Sequence, residues 1–169
     1  GKEGKAAQVK TIYTFVSQNN IDYNEAFGGM IPYVTSGSLF TGTFKTDMGN
    51  PLNSTKFGVP FVGEPATLSG SYKYTPGDVY YDNKNKVITD KEDEFSIYAV
   101  LYDAALEYDG PKDNWTDFSI PFKLLEGKIY DPSKNYYIAV VCASSAEGDF
   151  YQGAPGSTLI VDNFKVNPK

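Results

Sequence analysis

Leu68-Ser69-Gly70-Ser71-Tyr72-Lys73-Tyr74-Thr75-Pro76-Gly77-Asp78 alternates apolar and polar residues and then turns. In an extended strand, Leu68, Tyr72 and Tyr74 share one face, with Ser69, Ser71 and Lys73 on the other. Pro76-Gly77 closes the strand, because proline presets φ for the second position of a turn and glycine accepts positive φ. Flat rings with polar tips suit a core beside a wet edge, and they also suit a sugar-binding face. On this alternation Tyr72 and Tyr74 read as framework, with any binding site in the excursion that follows, at Tyr80 and Tyr81, and in the loop around Trp115.

The same grammar recurs along the chain. Strands are predicted over Ala6–Val16, Gly37–Lys45, Pro65–Thr75, Glu94–Asp103, Thr116–Phe122, Tyr136–Ser144 and Ser157–Val166. Gly42 inside the second predicts a bulge or a close approach of another backbone. Turn signals separate the strands, at Gly28-Gly29, Asp82–Asn85, Asp109-Gly110-Pro111, Asp131-Pro132-Ser133 and Gly153–Gly156. Only Ile21–Phe27 and Lys123–Glu126 suit a helical turn. Seven strands with long excursions between them predict a single all-β domain over residues 1–169. The architecture expected is a β-sandwich of jelly-roll type, two packed antiparallel sheets, in preference to an up-and-down barrel.

The composition narrows the chemistry. The chain has no histidine, which removes nucleophile–histidine triads and histidine-ligated metals. All basic residues are lysine, so no guanidinium fork is available for phosphates or guanine. A net charge of −6 without a basic run argues against nucleic acid and anionic membranes as partners. Cys142 is alone, within an apolar run, and reads as a small buried hydrophobe.

Four segments carry a family resemblance: Gly37–Phe44 (GSLFTGTF), Lys56–Phe61 (KFGVPF), Pro65–Gly77 (PATLSGSYKYTPG) and Gly156–Val166 (GSTLIVDNFKV). In this order and spacing the chain resembles the putative carbohydrate metabolism domain of surface and periplasmic lipoproteins of gut Bacteroidetes. The resemblance implies a galactose-binding-like jelly roll and a glycan-related role. It also implies export to the cell surface or periplasm, with lipid anchoring through an absent N-terminal segment. Family domains have a further N-terminal portion ahead of the piece resembling Ala6–Val16. The resemblance carries no catalytic motif.

Sugar sites pair an aromatic ring with hydroxyl-bonding side chains. Trp115, the single tryptophan, lies beside Asp113 and Asn114 in a polar loop expected to lead into a strand. Tyr80-Tyr81 follows the Pro-Gly turn, and adjacent strand residues point to opposite faces, so one of the two should meet solvent. Tyr108 and Tyr151 complete the candidates, Tyr151 in a loop at one end of the sandwich. Asp90-Lys91-Glu92-Asp93-Glu94 reads as a solvated charge run. Asp162 is the candidate metal residue: strict alternation would bury it with Ile160 and Phe164, and a structural calcium ion could then satisfy it. A bulge at Asp162-Asn163 would turn it outward instead. These features favour a non-catalytic module that binds an oligo- or polysaccharide. The alternatives are a structural or adhesive module for a partner protein, and a glycoside hydrolase with a carboxylate pair drawn from Glu64, Glu107, Glu126, Glu147, Asp103, Asp117 and Asp149.

Overall fold

A computed structural model describes residues 1–2, 4–14, 31–47, 49, 54–100, 104–124 and 126–169. Its strands, in chain order, are β1 (Ala7–Lys10), β2 (Ile12–Tyr13), β3 (Val34–Thr35), β4 (Ser38–Phe40), β5 (Gly42–Phe44), β6 (Thr55–Phe57), β7 (Val59–Phe61) and β8 (Pro65–Thr75). They continue with β9 (Tyr80–Tyr81), β10 (Val87–Ile88), β11 (Ser96–Val100), β12 (Ala104–Leu106), β13 (Lys112–Pro121), β14 (Tyr136–Ala143) and β15 (Thr158–Pro168). The fold is the expected all-β sandwich of two antiparallel sheets. The front sheet runs β1-β15-β8-β13; the back sheet runs β12-β11-β14-β4, with β7 also pairing β14. After β8 the chain passes to the back sheet for β11 and β12, then alternates front, back, front in the jelly-roll manner.

β8 has the predicted bounds and lies between β15 and β13. Its inner face buries Leu68, Tyr72 and Tyr74 against Phe95, Ile97 and Ala99 leading into and along β11, and Val140 and Cys142 on β14. Burying each large side chain stabilises the fold by about 1.5–3 kcal/mol. Tyr72 and Tyr74 meet the Phe95 ring with centroids 4.9 and 5.1 Å apart. Both tyrosines are therefore core residues, as the alternation implies.

Gly70 occupies the one inner position of β8 without a side chain. A Cβ there would fall 2.4 Å from the Phe164 ring, so the glycine leaves room for that ring to lie over the strand. Phe164 in turn packs edge-on against Phe118, with centroids 5.4 Å apart. It reaches the core because β15 carries a bulge: its register on β8 shifts between Asp162 and Lys165, and Asn163 adopts φ 56°. Leu159 and Val161 point inward before the bulge, Phe164 and Val166 after it. The bulge overturns the alternation that would bury Asp162.

The first and second predicted strands are each divided. Thr11, fully buried, separates β1 in the front sheet from β2, which pairs β3 instead. Phe15 and Val16 lie outside the described residues. The second strand breaks at Thr41 into β4 on the back sheet and β5, which pairs β6. The close approach expected at Gly42 is present: a Cβ would fall 2.2 Å from the Lys56 carbonyl oxygen. The strand predicted over Glu94–Asp103 is β11, and its last three residues lie outside the described set. A 3₁₀ turn forms at Gly148–Phe150, within a loop, whereas Lys123 makes a β-bridge. Ile21–Phe27 lies outside the described residues. No helix among the described residues is long and apolar enough to cross a membrane.

Candidate functional site

The end of the sandwich where β8 and β14 finish and β15 begins is organised by one carboxylate. Asp93 is 1% exposed. Its Oδ2 accepts hydrogen bonds from Ser145 Oγ (2.6 Å), Ser157 Oγ (2.7 Å) and the Ala154 amide (2.8 Å). Its Oδ1 accepts one from the Glu94 amide at 3.0 Å. Burial holds its carboxyl above the ordinary range, and these donors oppose that shift. The charge run is thus only partly a solvated loop: Asp93 is its buried exception, because serines and amides from remote segments converge on it. Ser145 also shares a hydrogen bond with the buried Thr11 hydroxyl (2.6 Å), which ties the β1–β2 junction into the same network.

This network positions a tyrosine wall. Tyr81 and Gly153 exchange backbone hydrogen bonds at 2.9 and 3.1 Å, joining the β9–β10 hairpin to the loop before β15. The Tyr81 ring packs edge-on against Tyr13 (5.8 Å), and Tyr13 lies 6.3 Å from Tyr33. Tyr13 OH donates to Asn85 Oδ1 at 2.6 Å. Asn85 sits in the hairpin turn at φ 62°. That turn is held by Asp82 Oδ1, which accepts the Lys84 and Lys86 amides at 2.9 and 2.8 Å. The same bonds, the Lys86 amide foremost, hold the Asp82 carboxyl below the ordinary range.

Beyond Gly153 stand Phe150 and Tyr151, 66% and 52% exposed. Tyr151 caps the 3₁₀ turn in the left-handed conformation, φ 58° and ψ 37°. For a bulky residue this backbone costs about 1–2 kcal/mol. Next to it Glu147 Oε2 accepts Tyr80 OH (2.6 Å) and Lys91 Nζ (2.7 Å). Lys91, then Tyr80, hold the Glu147 carboxyl below its ordinary range. Lys91 Nζ also lies 4.4 Å from the centroid of the Tyr80 ring.

The candidates read from the sequence therefore separate. Tyr81 and Tyr151 come together at this aromatic end. Tyr80 is 3% exposed, so its ring is no platform; it points inward and its phenol anchors Glu147. Tyr108 is half-buried, edge-on to Tyr74 and Phe95, with its hydroxyl donating to Glu92 at 2.5 Å. Its ring belongs to the core margin. Trp115 is on β13 itself, which starts at Lys112 and carries an irregularity before Thr116, where a polar loop was expected. Its ring lies 5.4 Å from Lys73 Nζ, a residue of the outer face of the front sheet, with Asp113 and Asn114 exposed beside it. Asp162 is likewise on that side, and accepts the Lys2 and Asn163 amides at 2.7 and 2.8 Å. Among the described residues no cluster of three or more carboxylate or cysteine groups converges as a metal site. Sequence reasoning missed Tyr13, Tyr33, Asn85 and Lys91 as members of the aromatic end. Only the turn signal at Asp82–Asn85 pointed toward them.

The chain matches the family described as "Putative carbohydrate metabolism domain" over residues 1–111 and 104–167. Two solved structures are similar. One, titled a putative glycoside hydrolase from Bacteroides thetaiotaomicron, is 33% identical with a TM-score of 0.85; the match covers 100% of this chain and 55% of that one. The other, titled a putative glycoside hydrolase from Bacteroides vulgatus, is 29% identical with a TM-score of 0.82 and covers 100% and 75% respectively. A search of curated proteins gives no match. This chain belongs to the putative carbohydrate metabolism domain family.

Proposed function

We propose that the chain is a non-catalytic carbohydrate-binding module that takes a neutral sugar at the aromatic end. The observation that carries this reading is Tyr151: an exposed ring on a strained backbone, beside Phe150 and facing the same end as Tyr13, Tyr33 and Tyr81. A conformation that glycine or asparagine would adopt at less cost instead presents an aromatic. Pyranose rings stack on such side chains, while Asn85 and Glu147 Oε1 offer hydroxyl partners; Tyr80 and Lys91 bond the other oxygen of Glu147. The carboxylates Asp82, Glu92, Glu147 and Asp149 lie at this end with Lys84, Lys86 and Lys91, so it has no net positive charge to attract an anionic ligand. Export, envelope anchoring and contact with a surface partner belong to the same proposal, by analogy with the family's setting.

The test is a glycan array followed by titration of the best hit. Each stacking contact is worth about 1–2 kcal/mol, so Tyr151→Ala and Tyr81→Ala should each weaken binding roughly tenfold. No hit on any glycan, or unchanged affinity in both variants, sinks the reading.

Glycoside hydrolysis is the second reading, on the names of the two similar solved structures. It needs a proton-donating carboxyl of raised pKa beside a second carboxylate. Glu147 is shifted the opposite way, and Asp93, shifted up, is sealed from substrate by four donors. Sustained release of reducing ends by purified protein, lost in Glu147→Gln, would favour this reading over binding alone.

A further inference from the structure

The opposite end of the sandwich carries a cavity of about 250 Å³ of a different chemistry. It lies between β7 with its following turn and the segment leading into β14. Phe61, Tyr130, Lys134, Asn135, Tyr136 and Tyr137 line it. Tyr130 and Tyr136 stack with centroids 5.3 Å apart and planes 25° from parallel. Tyr136 is fixed at its tip, where the Asp131 amide donates to its hydroxyl at 2.9 Å. The Asp131–Lys134 turn is itself rigid: Asp131 Oδ1 accepts the Ser133 amide and hydroxyl at 3.0 and 2.6 Å, and the Lys134 amide bonds Asp131 O at 3.1 Å. Tyr137, 60% exposed, also lines the cavity, at its margin toward the outer face of the back sheet.

The charge of this lining separates it from the aromatic end. Among the described residues that line it, Lys134 is the single cation and none is a carboxylate. The Lys134 ammonium approaches Asp131 Oδ2 only to 3.7 Å, and that carboxylate already serves Ser133 through its other oxygen. A loosely paired, exposed lysine can turn to a ligand anion at little cost. We infer that this cavity is a second carbohydrate site, for a sugar residue bearing a carboxylate: the ring stacks on tyrosine, Asn135 bonds hydroxyls, and Lys134 Nζ donates to the carboxylate. This rests on the carbohydrate-binding reading above. It adds a ligand class that the aromatic end, with no net positive charge, does not attract. The cavity lies at the start of the 8-residue β14, and Ser145 of the Asp93 network follows its end. The sites are therefore roughly 25 Å apart along that strand, and one long polysaccharide could engage both, raising its avidity without new contacts.

Backbone-amide NMR of the intact chain, titrated with trigalacturonate and with its carboxyl-reduced neutral analogue, tests the inference. The acidic trimer should shift amides of residues 130–137, and the neutral analogue should shift them far less. Lys134→Met should weaken the acidic trimer roughly tenfold, the loss of one charge-assisted hydrogen bond, and Tyr137→Ala should weaken both trimers. Both residues are exposed, so the variants should keep the native amide spectrum elsewhere. No shift at residues 130–137, equal response to the two trimers, or indifference to Lys134→Met overturns the inference. The aromatic end reports separately, through the Tyr81 and Gly153 amides with a neutral array hit and Tyr151→Ala. Either site can therefore fail while the other stands.

Discussion

Replacing Asp93 by asparagine should unlock the aromatic end. The side chain is isosteric, but the pocket around it supplies donors. Two are backbone amides, of Ala154 and Glu94, which cannot reverse. Two are the hydroxyls of Ser145 and Ser157, which can. An asparagine oxygen can serve one amide; its NH₂ must then face the other, leaving a buried N–H without an acceptor. That orphan costs about 1–3 kcal/mol, which sets the size of the effect. A loss of about 2 kcal/mol corresponds to a Tm lower by roughly 4–8 °C for a chain of this size. Thermal and urea melts followed by circular dichroism measure it. Amide exchange should localise the damage, with the Tyr81–Gly153 pair losing protection before β8. A melt within about 0.5 kcal/mol of the parent, or loosening spread evenly over the core, would refute the claim that Asp93 holds this end together.

The same residue sets a pH dependence. Its folded pKa lies above the ordinary 3.8, so the native state retains a proton that the unfolded chain has released. Asp93 thus favours folding most below 3.8, and this contribution falls as pH rises toward the folded value. The stability gap between the parent and Asp93→Asn should narrow from pH 3.5 upward; a widening gap in the melts contradicts the assignment. Gly70→Ala places a methyl 2.4 Å from the Phe164 ring and 3.0 Å from Phe118, and should cost about 1–3 kcal/mol in a urea melt. A neutral effect would mean that the ring does not lie over β8. Burial pushes the Cys142 thiol up to about 12, so a thiol reagent should label it only as fast as the protein unfolds. Rapid labelling under native conditions would contradict that burial. Trp115, on the outer face of the front sheet, should keep its emission spectrum when a neutral sugar saturates the aromatic end. A blue shift would move the site to the sheet face.

The residue sequence determined the framework by itself, because burial with period two is a local property of a strand. Leu68, Tyr72 and Tyr74 must share a face whatever surrounds them, and Pro76-Gly77 must end the run. The absence of histidine and arginine likewise limits chemistry without reference to any fold. Half of the aromatic end was legible on the same terms, through Tyr81 and Tyr151. What remained depended on contacts between distant segments. Asp93 looked like one charge among five, and is buried because Ser145, Ala154 and Ser157 fold over it. Tyr80 and Tyr81 are chemically identical, and only the position of Glu147 and of Tyr13 decides which ring turns inward. Asp162 faces outward because a single left-handed residue at Asn163 resets the alternation, and only a gap over Gly70 that accepts Phe164 makes that reset favourable. Alternation is carried by the backbone of each strand; partners for buried polar groups and seats for displaced rings come from elsewhere in the chain, so only the tertiary structure decides them.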